Sequence, residues 1–290
     1  MKIIKDFDVA KNYKLYRVIQ NIINPKINVK QYVDIEYELE GRVIPLRIFN
    51  PNNAKKIIIY IHGGGWISGN LDTHSSVCYN IAKKINRKVI SIGYRLAPEF
   101  PFPNGFNDCY QVVSEIMSHI KDFNLNWNDV VLMGDSAGGN LCAAISQKGL
   151  KEHQFRVGKQ VLIYPALQTD YSENTKYRSV IENADKGFLT QKQLEEFISS
   201  YIKNKEDLKN IYAAPLLSRK LFGLPETLII TGTNDPLHDE GIMYAKKLKR
   251  HLVPVKLFDL KDAPHGFMTN IIKKKYADMT IKYIKGFLGD

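Results

Sequence analysis

The sequence predicts an α/β domain in which a mostly parallel central sheet of about eight strands is flanked by helices on both faces. Two observations lead to this fold class. Strand-like and helix-like segments alternate along most of the chain, without an internal repeat. Some strand-like segments are nearly continuous β-branched runs, as in residues 57–61 (IIIYI), which is typical of strands buried on both faces.

The elements follow one another in a regular order. Residues 32–49 predict an antiparallel hairpin, because two extended runs meet at Gly41-Arg42. Further strands are predicted at 56–62, 88–94, 129–134, 159–165, 227–235 and 253–260. Helices are predicted at 75–86, 105–121, 137–150, 239–251 and 273–287. Strands that alternate with helices in this way indicate parallel neighbours joined by helical crossovers.

Two segments do not belong to this alternation. They are the first 30 residues and residues 168–213, the latter polar with a helix-like piece near 191–203. We interpret both as elements of a small helical cap over one end of the sheet, within a single domain that spans residues 1–290.

Composition and charge bear on whether the protein binds nucleic acid or an anionic surface. The net charge is +11 and the pI is near 9.3, values that are compatible with binding to nucleic acid or to an anionic surface. The lysines are spread along the chain, however. The densest basic runs, at 246–250 and 273–275, lie in predicted helices, where such runs are usually solvated faces. We therefore expect no nucleic-acid partner.

The cysteines and the N-terminus bear on the compartment. Cys78, Cys109 and Cys142 have no metal-binding or disulfide spacing, so we interpret them as small buried hydrophobic residues in a reducing compartment. The N-terminal residues carry charges throughout and lack the apolar core of a signal peptide. No stretch approaches the roughly 18 apolar residues of a membrane-spanning helix. We expect a cytoplasmic protein without a membrane span and without a metal.

Residues of chemical interest follow four of the predicted strands. Ligands of parallel α/β sheets bind beyond the carboxyl ends of the strands. The residues found there are His62-Gly63-Gly64-Gly65-Trp66, Gly134-Asp135-Ser136-Ala137-Gly138, Asn234-Asp235-Pro236 and Ala263-Pro264-His265-Gly266. The second group has the form G-x-S-x-G, which places a serine on a tight strand-to-helix turn. That pattern is short enough to occur by chance. Its interpretation as a nucleophile motif therefore depends on the residues that follow the other three strands.

Ser136 is the predicted nucleophile, and a serine hydroxyl needs a neighbouring base to react at neutral pH. The histidines that follow it are His153, His238, His251 and His265. We favour His265, because it alone follows a strand in a short loop. Asp235, at the end of its own strand, fits the order serine, acid, histidine. Its rivals as the acid are Asp239, Glu240, Asp259 and Asp262, which are otherwise explained as helix caps or surface charge.

A glycine run is suited to an oxyanion hole, because no side chain obstructs approach to its backbone N–H groups. Residues 63–65 form such a run, and Ala137, the residue after the serine, would supply a further donor. A phosphate-binding loop would instead require a lysine followed by serine or threonine, and Trp66-Ile67 stands there. We therefore reject the phosphate-binding alternative.

Five motifs together resemble the hormone-sensitive-lipase-like group of α/β-hydrolase carboxylesterases. They are HGGGW, GYRLAPEFPFP, GDSAGGN, NDPLHDEG and the late HGF, spread over roughly residues 55–270. The resemblance implies an α/β-hydrolase fold, a preference for short acyl chains and no cofactor. It implies a triad of Ser136, Asp235 and His265, with Gly64, Gly65 and Ala137 as oxyanion donors. It also implies that His62 is structural and that the cap comes from the N-terminal segment and an insert after the sixth strand.

Other residues of these motifs have weaker interpretations. Arg95, Glu99 and Asp108 are interpreted as a network that supports the site. Residues that either line a substrate pocket or pack in the core are Trp66, Tyr164, Leu167, Phe188 and Leu189. Asp135 has no role that we can derive from the sequence.

The leading hypothesis is a serine carboxylesterase that acts on small esters, such as acetyl esters, through an acyl-enzyme. An arylformamidase or amidase on the same triad is the alternative. A non-catalytic binding protein, like the gibberellin receptors that resemble this family without the histidine, is disfavoured because His265 is present. Family members often pair through the last strand, here near 253–260, so a homodimer stays open.

Overall fold

The computed structural model describes residues 8–24, 32–39, 41–269 and 274–289. The strands are β1 (Tyr32–Leu39), β2 (Arg42–Phe49), β3 (Ile57–Ile61), β4 (Lys88–Ile92), β5 (Val130–Asp135), β6 (Lys159–Ile163), β7 (Glu226–Asn234) and β8 (Val255–Pro264). The helices are α1 (Tyr13–Ile23), α2 (Ser75–Ile85), α3 (Asn104–Ser118), α4 (Ala137–Lys151), α5 (Arg178–Glu182), α6 (Gln191–Tyr201), α7 (His238–Arg250) and α8 (Lys274–Leu288). Parts of three predicted elements lie outside the described residues, namely 1–7 and 25–30 of the cap, residue 40 of the hairpin and residue 273 of the last helix.

All eight strands form one sheet in the order β1-β2-β4-β3-β5-β6-β7-β8. The pairs β1–β2 and β2–β4 are antiparallel, and every pair from β4 to β8 is parallel. The predicted fold class, a mostly parallel sheet of about eight strands, is thereby confirmed. Parallel strands align their carboxyl ends at one edge, so the four groups of residues that follow β3, β5, β7 and β8 come together there.

The sheet separates two hydrophobic cores. Along β3, Ile57, Ile59 and Ile61 belong to one core, and Ile58 and Tyr60 belong to the other. Helices α3, α4 and α7 cover the first core, whereas α2 and α8 cover the second. A strand packed on both faces needs apolar residues at successive positions, which explains why β3 is apolar without alternation.

Most predicted bounds lie within two residues of the observed ones, and two elements differ by more. The helix predicted at 105–121 ends at Ser118, and a short 3₁₀ turn, Ile120–Phe123, follows it. The strand predicted at 253–260 continues to Pro264. This extension pairs Pro264 with Asn234 of β7. The residues that follow the two strands, Asp235 and His265, are therefore neighbours.

Helices α1, α5 and α6 lie outside the alternation of strands and helices. No residue of α1 is buried, whereas α6 buries Leu194, Phe197 and Tyr201. Residues of both helices line the cavity at the carboxyl ends of the strands. Among the described helices, none has the length and apolar character needed to cross a membrane.

Candidate active site

Ser136 occupies a strained turn between β5 and α4. Its backbone lies at φ 54° and ψ −120°, a region that residues other than glycine rarely adopt. The Ser136 N–H donates to the carbonyl of Ile163 at 2.9 Å, which holds the turn against the next strand. A Cβ at Gly138 would lie 2.0 Å from the Ile61 carbonyl oxygen, and one at Gly134 would lie 2.6 Å from the Gly138 backbone. The turn therefore requires glycine at both flanking positions of G-x-S-x-G.

The structure brings Ser136, His265 and Asp235 together. His265 Nε2 lies 2.9 Å from Ser136 Oγ, and His265 Nδ1 lies 2.7 Å from Asp235 Oδ2. Asp235 is fully buried, and its second oxygen accepts the Leu237 N–H at 2.8 Å. A carboxylate, an imidazole and a hydroxyl thus form a continuous chain of hydrogen bonds.

The other histidines that follow the serine are engaged elsewhere. His238 Nε2 lies 3.0 Å from Asp259, and His251 Nε2 lies 3.0 Å from the carbonyl of Arg219. His153 lines a different cavity, formed with the ends of α3 and α4. Proximity to the serine therefore separates His265 from these three.

Asp239 and Glu240 also have partners of their own, and Asp262 is exposed. Asp239 accepts the Ser179 N–H at 3.0 Å. Glu240 is buried and accepts hydrogen bonds from the Leu167 N–H and, at 3.2 Å, from the Tyr171 hydroxyl. Burial, together with the nearby negative charge of Asp235, raises the pKa of Glu240 well above its usual 4.5 despite these bonds. The protonated form of Glu240 is therefore favoured relative to that of an exposed glutamate.

The glycine loop lies beside the serine. Gly64 has φ 122° and Gly65 has φ 61°. A Cβ would lie 2.2 Å from the Ser68 carbonyl oxygen at Gly64 and 2.6 Å from the Phe197 ring at Gly65. Within the described ranges, the N–H groups of Gly64, Gly65 and Ala137 donate to no protein acceptor. Three donors are thus available along one wall of the cavity that Ser136 also lines.

Asp135, which the sequence left unexplained, joins the serine turn to this loop. It is 4% exposed, and its Oδ1 accepts the Gly63 N–H at 3.0 Å and the Tyr60 hydroxyl at 2.8 Å. The Tyr164 hydroxyl donates to Oδ2 at 3.4 Å, and His74 Nε2 lies 3.4 Å from Oδ1. Burial acts to raise the pKa of Asp135, but the charge of His74 and the hydrogen bonds outweigh it, so the pKa lies below 3.8. Asp135 is therefore a buried anion.

His62 holds the first residue of the loop. Its Nδ1 lies 2.8 Å from the Gly63 carbonyl oxygen, and its ring stacks on Tyr94 at 4.3 Å between centroids. The Tyr94 hydroxyl also donates to the His62 carbonyl at 3.0 Å. Burial, reinforced by the charge of His74, lowers the pKa of His62 to about 3. A neutral, fully packed imidazole suits the structural role that the resemblance implies.

The residues interpreted as a supporting network form ion pairs at two carboxylates, Asp108 and Glu99. Asp108 is fully buried and accepts from Arg95 Nε at 2.8 Å and Nη2 at 2.7 Å, and Arg42 Nε lies 3.0 Å from it. Glu99 accepts from both terminal nitrogens of Arg17 at 2.9 Å and 2.8 Å. These pairs lie outside the cavity wall, and the second attaches α1 to the domain.

Arg17 also reaches the loop that follows the glycines. Its Nε donates to the carbonyl of Ile67 at 2.7 Å, and its Nη2 donates to that of Ala97 at 2.9 Å. The sequence carried no signal for this contact, because α1 and the loop are far apart along the chain. Helix α1 is thereby tied to the segment that presents the oxyanion donors.

A cavity of about 490 Å³ opens over Ser136 and His265. Trp66, Tyr164, Phe188 and Leu189 line it, as their motifs suggested, whereas Leu167 does not. Lining residues that the sequence did not indicate are Tyr16, Gln20, Ile23 and Asn24 of α1 and Gln193, Leu194 and Phe197 of α6. The described residues that line the cavity include no lysine, arginine or glutamate.

The described part of the chain contains no cluster of three or more His, Cys, Asp or Glu side chains arranged to hold a metal ion. The arrangement around Ser136 is instead that of a nucleophile with a base, a buried acid and free N–H donors. Together these groups can attack a carbonyl carbon and stabilise the oxyanion that forms.

Comparison with known proteins agrees with this chemistry. A family described as alpha/beta hydrolase fold matches residues 58–269. The chain is 33% identical to the carboxylic ester hydrolase LipN of Mycobacterium tuberculosis, over 91% of this chain and 71% of that one. It is 30% identical to an ethyl acetate hydrolase of Pseudomonas putida, over 79% and 73% of the two chains.

A similar solved structure is that of EstE1, a thermophilic carboxylesterase cloned from a metagenomic library. It superposes with a TM-score of 0.85 at 27% identity, over 96% of this chain and 97% of that one.

Proposed function

The chain belongs to the alpha/beta hydrolase fold family, within its hormone-sensitive-lipase-like group, and is a serine ester hydrolase; from this premise we propose that it hydrolyses small esters of short acyl chains, such as acetyl esters. The observation that carries the proposal is the alignment of Asp235, His265 and Ser136 at 2.7 Å and 2.9 Å, beside three free N–H donors. Each of these side chains and N–H donors has one role in the proposed reaction.

In the first half-reaction, Ser136 Oγ attacks the ester carbonyl carbon while its proton passes to His265 Nε2. The carbonyl oxygen becomes an oxyanion, to which the N–H groups of Gly64, Gly65 and Ala137 donate. Asp235 accepts a hydrogen bond from the Nδ1–H of His265, stays ionised and stabilises the imidazolium. The imidazolium then protonates the alkoxide oxygen, the C–O bond breaks, and the alcohol leaves an acyl-enzyme.

In the second half-reaction, His265 Nε2 takes a proton from water, whose oxygen attacks the acyl carbonyl. The same donors bind the second oxyanion. When it collapses, the bond to Ser136 Oγ breaks, and the proton returns from His265 to the serine. A carboxylic acid is released, and the three side chains are restored without a cofactor.

The composition of the cavity wall favours a small uncharged substrate. Its described lining is largely apolar and includes no lysine, arginine or glutamate, and its one aspartate, Asp135, is already bonded to Gly63 and Tyr60. The similarity to an ethyl acetate hydrolase supports an acetyl ester in particular. Trp66, Tyr164 and Phe188 are the residues that we expect to contact the substrate.

We propose that α1, α5 and α6 act as a cap over this cavity. Wall residues from α1 and α6, such as Gln20 and Phe197, support this proposal. The cap is one part of a single domain, because residues of α6 and of the sheet share one hydrophobic core.

An ester panel tests the proposed reaction. Rates of p-nitrophenyl esters from C2 to C12 should be highest for the shortest chains, and Ser136→Ala should lower kcat by roughly 10⁶-fold. Asp235→Asn and His265→Ala should also lower kcat by several orders of magnitude while KM changes little. Turnover by pure Ser136→Ala would refute the acyl-enzyme. Greater kcat/KM on N-formylkynurenine than on acetyl esters would favour the amidase alternative.

The proposal also covers the cellular location, the oligomeric state and the partners of the enzyme. Three free, buried cysteines support a cytoplasmic location. The edge strand β8 could pair two copies into a homodimer, which light scattering would detect. We expect no binding to nucleic acid in a filter assay at moderate salt and no loss of activity with a chelator.

A further inference from the structure

Asn183, the residue that follows α5, lies against the turn that carries Asp235. Its side-chain amide donates to the carbonyl oxygen of Thr233 at 3.1 Å and to that of Asp235 at 3.0 Å. Asn183 is 4% exposed. One buried amide therefore forms hydrogen bonds with the backbone carbonyls of both Thr233 and Asp235.

The backbone at this point needs donors from outside the sheet. The register of β7 with β8 shifts between Gly232 and Asn234. Buried carbonyl groups near such an irregularity must find donors other than the ladder. An asparagine amide supplies two N–H donors from one rigid group, which suits two carbonyls that lie close together.

Ser179, one helical turn before Asn183, holds the other side of the same turn. Its hydroxyl donates to the carbonyl of Pro236 at 2.8 Å and accepts the Asp239 N–H at 3.1 Å. Its own N–H donates to Asp239 Oδ2 at 3.0 Å. Helix α5 thus bonds the chain on both sides of Asp235.

Thr233 extends this connection to the segment that carries His265. Its hydroxyl accepts the Asp262 N–H at 2.8 Å, while its carbonyl accepts from Asn183. Asp262 lies three residues before His265. The insert therefore bonds the backbone of Asp235 directly, and it is connected to the segment that precedes His265 through Thr233.

We propose that Asn183, assisted by Ser179, is a positioning residue that sets the orientation of Asp235 toward His265. The inference rests on the proposed function, because it acts through the triad. It means that the insert of residues 168–213 does more than cover the cavity, since its short helix α5 is needed to hold the acid in line with the base. A displacement of about 1 Å in such a site can lower the rate by 10²-fold.

The test compares Asn183→Ala with a matched variant, Gln147→Ala. Gln147 is 5% exposed, and its amide donates to the carbonyl of Pro215 at 3.3 Å and to the Tyr244 hydroxyl at 3.1 Å, away from the cavity. Both variants should lower Tm. Assayed well below Tm with p-nitrophenyl acetate, Asn183→Ala should lower kcat by roughly 10- to 100-fold with KM within about twofold. Gln147→Ala should retain the wild-type kcat.

Further variants keep the test decisive. Asn183→Asp directs a carboxylate at two carbonyl oxygens, so its kcat should be lower than that of Asn183→Ala. If Asn183→Ala does not fold, Ser179→Ala should show a smaller loss of kcat in the same direction. The proton resonance of the His265 Nδ1–Asp235 hydrogen bond should weaken in the Asn183 variants and persist in Gln147→Ala.

The outcomes separate this inference from the proposed function. If Ser136→Ala is inactive and the folded Asn183 and Ser179 variants keep the wild-type kcat, the positioning role alone is overturned. If Ser136→Ala is active, the proposed function is overturned, and this inference with it. A loss of kcat and of the proton resonance in the Asn183 variants, with both kept in Gln147→Ala, supports the positioning role.

Discussion

The carboxylate of Asp135 accepts the backbone N–H of Gly63 at 3.0 Å. Through this one hydrogen bond, the turn that carries Ser136 is joined to the start of the loop that carries Gly64 and Gly65. The nucleophile follows β5, whereas the proposed donors Gly64 and Gly65 follow β3, so the spacing between them depends on contacts of this kind.

Asp135→Asn should weaken this connection. An amide has one acceptor oxygen, so it cannot accept from all the donors that face Asp135. We expect kcat to fall roughly 10- to 100-fold and the unfolding free energy to fall by about 1–3 kcal/mol at pH 7. Because the pKa of Asp135 is lowered on folding, the wild-type advantage is present above pH 3.8 and is lost as the pH falls through the folded value. Ester kinetics and urea unfolding at several pH values measure both effects, and a wild-type kcat in the variant would contradict the role.

Gly64→Ala should abolish activity through crowding as well as backbone strain. Its Cβ would lie 2.2 Å from the Ser68 carbonyl oxygen, at φ 122°. We expect kcat to fall by more than about 100-fold, since the loss of one oxyanion donor alone has an effect of this size. Gly41→Ala is the matched control, because Gly41 also has a positive φ, 80°, but no atom of the described residues beyond its chain neighbours lies within 4 Å of its added Cβ. Equal activity of the two variants would show that the loop is not sensitive to its geometry.

His62→Gln should reduce the acid sensitivity of the fold. The pKa of His62 falls from 6.5 to about 3 on folding, so the unfolded chain binds the extra proton between these values. Wild-type stability therefore declines as the pH falls from 6.5 toward 3, by about 1.4 kcal/mol per pH unit at most. Between pH 6.5 and 5, urea unfolding should show a decline roughly 2 kcal/mol larger in the wild type than in the variant. If the unfolding free energy of the wild type and that of the variant decline equally over this range, the result would argue against a neutral His62.

Glu240→Gln should stabilise the protein at high pH. The pKa of Glu240 is raised on folding, so its favourable contribution exists below 4.5 and is lost as the pH rises toward the folded value. A glutamine can still accept from the Leu167 N–H and the Tyr171 hydroxyl. The difference in unfolding free energy, variant minus wild type, should thus grow between pH 5 and pH 9. A constant difference over that range would show that Glu240 does not titrate there.

Arg17→Ala should loosen α1 without disturbing the chemistry. Arg17 holds this helix, which has no buried residue of its own, against the carbonyls of Ile67 and Ala97. We expect KM to rise roughly threefold to tenfold, the effect of about 1 kcal/mol of weaker docking, with little change in kcat. Lys84→Ala is the control, because Lys84 forms an exposed ion pair with Asp278 away from the cavity. A lower kcat at unchanged KM would contradict the proposal that α1 acts as a cap.

The sequence by itself determined the class of fold and the positions at which chemistry was expected. Apolar runs such as residues 57–61 report burial on both faces, and their alternation with helical segments implies a parallel sheet. In such a sheet the residues after each strand share one edge, which is why Ser136, Asp235 and His265 could be named from the G-x-S-x-G motif, the order serine, acid, histidine and their places after strands.

Only the tertiary structure decided which of these residues are in contact and which other residues fix their positions. The distance between Asp235 and His265 depends on the pairing of Asn234 with Pro264, and strand register is a property of two segments, not of one. The contacts of Asp135 and Asn183 cross between segments far apart along the chain. Hydrophobic periodicity reports which face of an element is buried, but it carries no information on the partner that buries it.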